Sequence, residues 1–161
     1  MRKFFAPSQL PAFAASALPV PRRHSLDLPA GATVAITYGT YDLFHVGHVR
    51  LFERIRRRFD FLVVAVSTDE FNAVKGKKST VSFDDRIELV RACRHVDLAI
   101  PETGWAQKES DIVAFGADAF VMGNDWEGKF DHLKSLTEVI YLPRTEGVSS
   151  TELKQNIRGR Q

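Results

Sequence analysis

The chain has 161 residues, 44% hydrophobic and 26% charged, the composition of a soluble globular domain long enough to bury a core without staples. Its 22 basic residues nearly balance 20 acidic ones, for a formal charge of +2, which argues against a nucleic-acid partner. The single cysteine, Cys93, excludes an internal disulfide framework, and no run is long and apolar enough to span a membrane.

In chain order, the first segment is MRKFFAPSQLPAFAASALPV. Its basic start and small apolar residues resemble an export signal. Pro7, Pro11, Pro19 and Pro21 interrupt every apolar run, which a helical signal core does not tolerate. Residues 1–30 therefore read as a Pro/Ala-rich arm, flexible or laid over a surface, and the chain is expected in the cytoplasm. The compact domain is expected over residues 31–161.

From Gly31 onward strands and helices alternate. Val34 to Thr37 is a short β-rich run, and Val49 to Phe59 carries Leu51, Phe52, Ile55 and Phe59 at helical spacing. Phe61 to Ser67, FLVVAVS, is the continuous apolar run of a strand buried on both faces. Asn72 to Ser82 is polar and basic and reads as a loop. Ser82 with Asp85 suggests a capping box opening a helix through Arg94. Asp97 to Ile100 reads as a strand and Ser110 to Gly116 as a helix closed by glycine. Two further strands, Ala119 to Met122 and Val139 to Leu142, precede a last helix over Ser149 to Gly159. The expected fold is α/β, a single Rossmann-like doubly wound parallel sheet of five strands with helices on both faces. In such sheets ligands bind beyond the carboxyl ends of the strands. That edge is where GTYDLFHVGH, STDEF, GNDWEGK and PRTEGVSST fall.

Each of these segments has a chemical reading. In HVGH, Gly47 allows close backbone approach, and His45 and His48 stand where a helix opens with free N–H groups. Two imidazole donors at a helix N-terminus make a phosphate site. Metal ligation would need further ligands, and the other histidines, His24, His95 and His132, are scattered. GKKST, Gly76 to Thr80, imitates the end of a Walker A motif but fails it, because Phe71 stands where the first glycine is required. Lys75, Lys77 and Lys78 read either as a mobile basic loop over phosphates or as a solvated charge run. In PRTEGVSST, Arg144 followed by Ser149, Ser150 and Thr151 suits a helix cap and also a polyphosphate.

Together these segments resemble the HxGH nucleotidyltransferases, and within them the bacterial glycerol-3-phosphate cytidylyltransferases. The resemblance runs from about Ala35 to Asn156 through ITYGTYDLFHVGH, LVVAVSTDEFN, the KGKK loop, VMGNDWEGKFD and YLPRTEGVSST. It implies transfer of a cytidylyl group from CTP to sn-glycerol 3-phosphate, giving CDP-glycerol and diphosphate, with Mg²⁺ held mainly by the CTP phosphates rather than by the protein. It implies catalytic roles for His45, His48, Lys75 and Arg144. Nucleotide contacts are implied for Thr40, Tyr41, His45, Val46, Gly47, His48, Lys77, Arg94 and Asp125. They continue through Arg144, Thr145, Glu146, Gly147, Val148, Ser149, Ser150 and Thr151. Lys75 and Lys108 would meet the glycerol phosphate, and Asp42 and Trp105 would organise the site. The resemblance also implies a homodimer and small-molecule substrates only. It leaves open whether the product feeds teichoic acid, a capsule or another glycerol-phosphate polymer. Tyr41, Asn124 and Ser150 depart mildly from the family pattern. The same transfer with another phosphorylated alcohol or with ATP, and a noncatalytic nucleotide-binding module, are the alternative readings.

Overall fold

The structure, a computed structural model, describes residues 21–159. Five strands are present: β1 (Val34–Gly39), β2 (Phe61–Ser67), β3 (Leu98–Glu102), β4 (Ala119–Gly123) and β5 (Glu138–Leu142). They form one sheet in the order β3-β2-β1-β4-β5, with every pairing parallel. The helices are α1 (Val46–Arg56), α2 (Asp69–Val74), α3 (Phe83–Ala92), α4 (Gln107–Phe115) and α5 (Ser150–Arg158).

Alternate residues of each strand feed two cores. Val34, Ile36, Tyr38, Val63, Ala65, Phe120 and Met122 face one side and meet Ile112 and Phe115 of α4, with Phe130 and Leu133. Ala35, Leu62, Val64, Val66, Ala119 and Val121 face the other side, where Phe52 and Ile55 of α1 and Ile87 and Val90 of α3 cover them. Helices on both faces explain why FLVVAVS is apolar throughout: six of its seven residues are buried. The chain winds outward from β1 in one direction through β2 and β3, then in the other through β4 and β5. The order reverses between β1 and β4, and a crevice opens at that point above the strand ends.

Three helices differ from the sequence expectation, the first being α1, which runs Val46–Arg56 rather than Val49 to Phe59 because His45 caps it. The segment read as a loop from Asn72 begins inside α2. Thr68 caps that helix by accepting from the Phe71 N–H at 3.1 Å, and Asp69 and Glu70 fill its first turn, where acidic side chains suit the dipole. Only six residues long, α2 shows no periodicity, so its polar composition hid it. Gly76 ends the segment at φ +68. Helix α4 starts at Gln107 rather than Ser110 and has no side-chain cap at Ala106. Gln107 instead accepts from the Thr103 N–H at 2.8 Å and donates to the Pro101 carbonyl. No cap residue announced that start. Its C-terminus is as expected, with Gly116 in the left-handed conformation.

Residues 1–20 of the expected arm lie outside the described residues. Beyond them, Arg23 donates to the Gly116 carbonyl at 2.7 Å and to the Ala32 carbonyl at 2.6 Å, and Leu26 and Leu28 pack against the core beneath α4. The described end of the arm thus lies on the domain.

Candidate active site

Above the β1/β4 switch point lies a cavity of about 490 Å³. Its floor is the turn after β1, which holds two non-glycine residues, Tyr41 and Leu43, at φ 54 and 49. Left-handed backbone costs an L-residue energy and persists only where surroundings enforce it. Asp42, between them, supplies the enforcement. Its carboxylate accepts from the Thr80 and Val81 N–H groups at 2.9 Å each, from Leu43 N–H at 3.1 Å and from Lys154 Nζ at 2.7 Å. Burial alone would raise this carboxyl, but the bonds from Lys154, Thr80 and Val81 outweigh it and hold the group below its usual range. One side chain therefore ties the β1 turn to the basic loop before α3 and to α5.

His45 is the N-cap of α1, and His48 stands three residues on. The Gly47 N–H donates to His45 Nδ1 at 3.1 Å, and the His45 N–H donates to His48 Nδ1 at 3.3 Å. This is the reciprocal logic of a capping box, built from imidazoles in place of Ser and Glu. The histidines are caps and candidate ligand donors at once. Because both Nδ1 atoms accept, each ring carries its proton on Nε2, a tautomer assigned by the hydrogen bonds. The rings stack with centroids 3.8 Å apart. Burial, then the neighbouring His45, pushes the His48 imidazole down to about 3, and burial lowers His45 also. Both rings are neutral at pH 7 and present N–H donors. Tyr41 holds His48 from below, edge-on at 5.3 Å.

Gly47 is required by packing. A Cβ there would sit 2.9 Å from two atoms of the His45 ring and 3.1 Å from Val148. The glycine lets the imidazole fold over the first turn.

Across the cavity lies a buried charged cluster. Ser67 and Glu102 end β2 and β3 and are register partners. Ser67 Oγ donates to Glu102 Oε2, Lys108 Nζ bonds to Glu102 Oε1, and Lys75 Nζ donates to Ser67 Oγ at 2.8 Å. Lys108 also lies over the rings of Tyr38 (4.6 Å) and Trp105 (4.9 Å). Burial pulls the Lys75 ammonium down to about 8, against the opposing pull of Glu102.

Thr40, Tyr41, Asp42, His45, Gly47, His48, Lys75, Lys77, Trp105, Lys108, Asp125, Arg144, Thr145, Val148, Ser149, Ser150 and Thr151 all line this one cavity. Ser149 caps α5 by accepting from the Glu152 N–H, and Ser150 Oγ donates to the Asp42 carbonyl at 2.7 Å. Four expected residues do not line it. Val46 is exposed on the first turn of α1, Glu146 is exposed, and Gly147 forms the turn at φ +73. Arg94 is exposed beyond the end of α3, where the chain approaches the start of β3, at the edge of the sheet opposite the cavity.

Sequence reading missed several residues. Arg86 is fully buried and donates to the carbonyls of Val81, Thr40 and Ser67 and to Asp69 Oδ1 at 2.7 Å. It thereby clamps the ends of β1 and β2 together. A signal existed: Phe83, Arg86, Ile87 and Val90 follow the i, i+3, i+4, i+7 apolar stripe, and a charge on that stripe is out of place. Asn72, also buried, accepts from Thr40 Oγ1 and donates to Ser79 Oγ, each at 2.9 Å. Glu102, Ser67 and Lys154 carried no local pattern. Among the described residues no group of three His, Cys, Asp or Glu side chains could hold a metal ion. The lining carboxylates of Asp42 and Glu102 are committed to lysines.

Comparison with known proteins gives the family. The family model described as cytidylyltransferase-like matches residues 36–156. The chain is 56% identical over 125 residues to the glycerol-3-phosphate cytidylyltransferase of Staphylococcus aureus (strain NCTC 8325 / PS 47), spanning 78% of this chain and 95% of the relative. It is 55% identical over 124 residues to that of Bacillus subtilis (strain 168), spanning 77% and 96%. Among solved structures, the lipopolysaccharide core biosynthesis protein from Thermoplasma volcanium GSS1 matches with TM-score 0.63 at 20% identity, over 72% of this chain and 100% of that one. At that identity the match speaks for the fold alone. With its parallel sheet, its capped histidine pair at the switch point and these relatives, the chain belongs to the cytidylyltransferase-like family of nucleotidyltransferases.

Proposed function

We propose that the protein transfers the cytidylyl group of CTP to sn-glycerol 3-phosphate, releasing diphosphate and forming CDP-glycerol. The carrying observation is that two neutral imidazoles, with His45 Nε2 3.4 Å from Ser150 Oγ, share one cavity with Lys75 and Lys108, in a chain more than half identical to glycerol-3-phosphate cytidylyltransferases.

A phosphate oxygen of the glycerol phosphate attacks the CTP α-phosphorus in line. The new O–P bond forms as the bond to the diphosphate oxygen breaks. The nucleophile is already an anion, so no general base is required. Catalysis rests on positioning and on meeting the charge that builds on the α-phosphate. His45 and His48 donate to the α-phosphate oxygens. His48, held neutral, acts as a hydrogen-bond donor and not as a proton source. Arg144 and the hydroxyls and N–H groups of Ser149 to Thr151 receive the triphosphate at the start of α5. Lys77 approaches the nucleotide from the basic loop, and Lys75 and Lys108 receive the glycerol phosphate. Mg²⁺, held by the CTP phosphates, would offset phosphate charge there, and the buried carboxylates Asp42 and Glu102 are already held by Lys154 and Lys108. The reading carries a homodimer and a cytoplasmic location with it. Among the described residues no helix is long and apolar enough to cross a membrane.

The test is diphosphate release across a matrix of nucleoside triphosphates and phosphorylated alcohols, with and without a chelator. CTP with glycerol 3-phosphate and Mg²⁺ should give the highest turnover. Equal or better turnover with ATP or phosphocholine overturns the substrate assignment. Sedimentation of the full chain tests the dimer.

A further inference from the structure

Glu102 stands at the carboxyl end of β3 with its side chain almost wholly buried, and both its oxygens are used. One holds Lys108 directly. The other accepts from Ser67, whose oxygen in turn accepts from Lys75, and it lies 3.8 Å from Lys75 Nζ itself. Lys75 arrives from the end of α2 and Lys108 from the start of α4. Both ammonium groups also lie over the ring of Trp105, at 6.0 and 4.9 Å.

Two buried ammonium groups left to themselves repel, and each would lose charge or turn to water. One carboxylate between them cancels most of that repulsion and fixes both stems. The three groups still sum to one positive charge, facing the cavity. That residual charge, on two preset donors, suits a phosphate dianion and nothing neutral. The sheet register makes the arrangement rigid, because Ser67 and Glu102 are direct partners across β2 and β3.

We propose that Glu102, relayed by Ser67, is the positioning residue of a two-lysine clamp that fixes Lys75 and Lys108 for the phosphate of the alcohol substrate. The inference rests on the reading that these lysines receive that phosphate. Glu102 touches no substrate and acts only through the lysines.

The experiment is Glu102→Gln in the full chain, which keeps shape and removes the charge. KM for glycerol 3-phosphate should rise about 10- to 100-fold, the worth of a charge-assisted hydrogen bond, while KM for CTP stays within about twofold. The pH profile gives the second readout. The clamp needs protonated lysines, so kcat/KM for the alcohol phosphate falls as pH rises through the Lys75 pKa, near 8 in the free protein. Without the Glu102 charge that limb should move down by about one unit or more, since a carboxylate this close supports the ammonium. A Glu102 whose charge did not support Lys75 would leave the limb in place. A folded Glu102→Gln with wild-type KM and an unmoved limb overturns the proposal, as does a loss falling equally on CTP. Ser67→Ala decides the matter if Glu102→Gln does not fold. It cuts only the relay to Lys75 and should raise the same KM several-fold; no rise overturns the proposal. Both comparisons use the wild type's best phosphorylated alcohol. A preference for an alcohol other than glycerol 3-phosphate therefore overturns the substrate reading alone.

Discussion

Replacing Gly47 with alanine adds one methyl group at the point where the His45 ring folds over the first turn of α1. The new Cβ would lie 2.9 Å from His45 Cε1 and Nδ1 and 3.1 Å from Val148 Cγ1. Comfortable separation for such atoms is about 3.5–4.0 Å. The imidazole must therefore retreat by about 0.5–1 Å, out of its stack with His48 and away from the Gly47 N–H. Misplacement on that scale costs about 10²-fold in rate when the group must meet a transition state. Stability should change little: alanine gains about 1 kcal/mol of helix propensity over glycine, and a weakened cap loses about the same. The assay is steady-state diphosphate release by Gly47→Ala beside thermal unfolding. The expected result is kcat down by about 10²-fold with Tm within a few degrees of wild type. A folded variant with near-normal kcat would refute the claim that the His45 ring position governs turnover.

His48→Ala should lower kcat about 10²–10³-fold, the cost of an oxyanion-type donor, and change KM for CTP less, as steady-state kinetics would read. Arg86→Ala leaves three carbonyls and Asp69 without their buried donor and should destabilise the fold by about 3–5 kcal/mol, measured by urea unfolding; a loss under about 1 kcal/mol would contradict the clamp assigned to Arg86. For pH, His48 titrates near 3 when folded against 6.5 when free. The unfolded chain thus binds the extra proton between those values, and stability is lost as pH falls below 6.5. By pH 5 the loss from this group is about 2 kcal/mol, to be read from unfolding at pH 7 and 5, and His48→Ala should flatten that dependence.

Local pattern made the sheet legible. The apolar run FLVVAVS read as a strand buried on both faces and AFVM as a further strand, and Ser82 with Asp85 and Gly116 marked helix ends that the structure keeps. HVGH was legible for a related reason: its residues are neighbours in the chain, and their spacing by itself sets the cap that fixes both tautomers. The α2 helix escaped because six polar residues carry no period, and the start of α4 because Gln107, not a cap residue, secures it. Arg94 was placed with the nucleotide by resemblance, yet it lies at the opposite edge of the sheet. Tertiary structure alone decided the charge network. Asp42 meets Lys154 across more than a hundred residues, Arg86 reaches back to Thr40, and Glu102 finds Ser67 through strand register. Such pairs are set by how the sheet folds back on itself, and no period along the chain encodes them. A buried charge can be suspected from one misplaced residue on an apolar stripe, but its partner is chosen only when the strands are laid side by side.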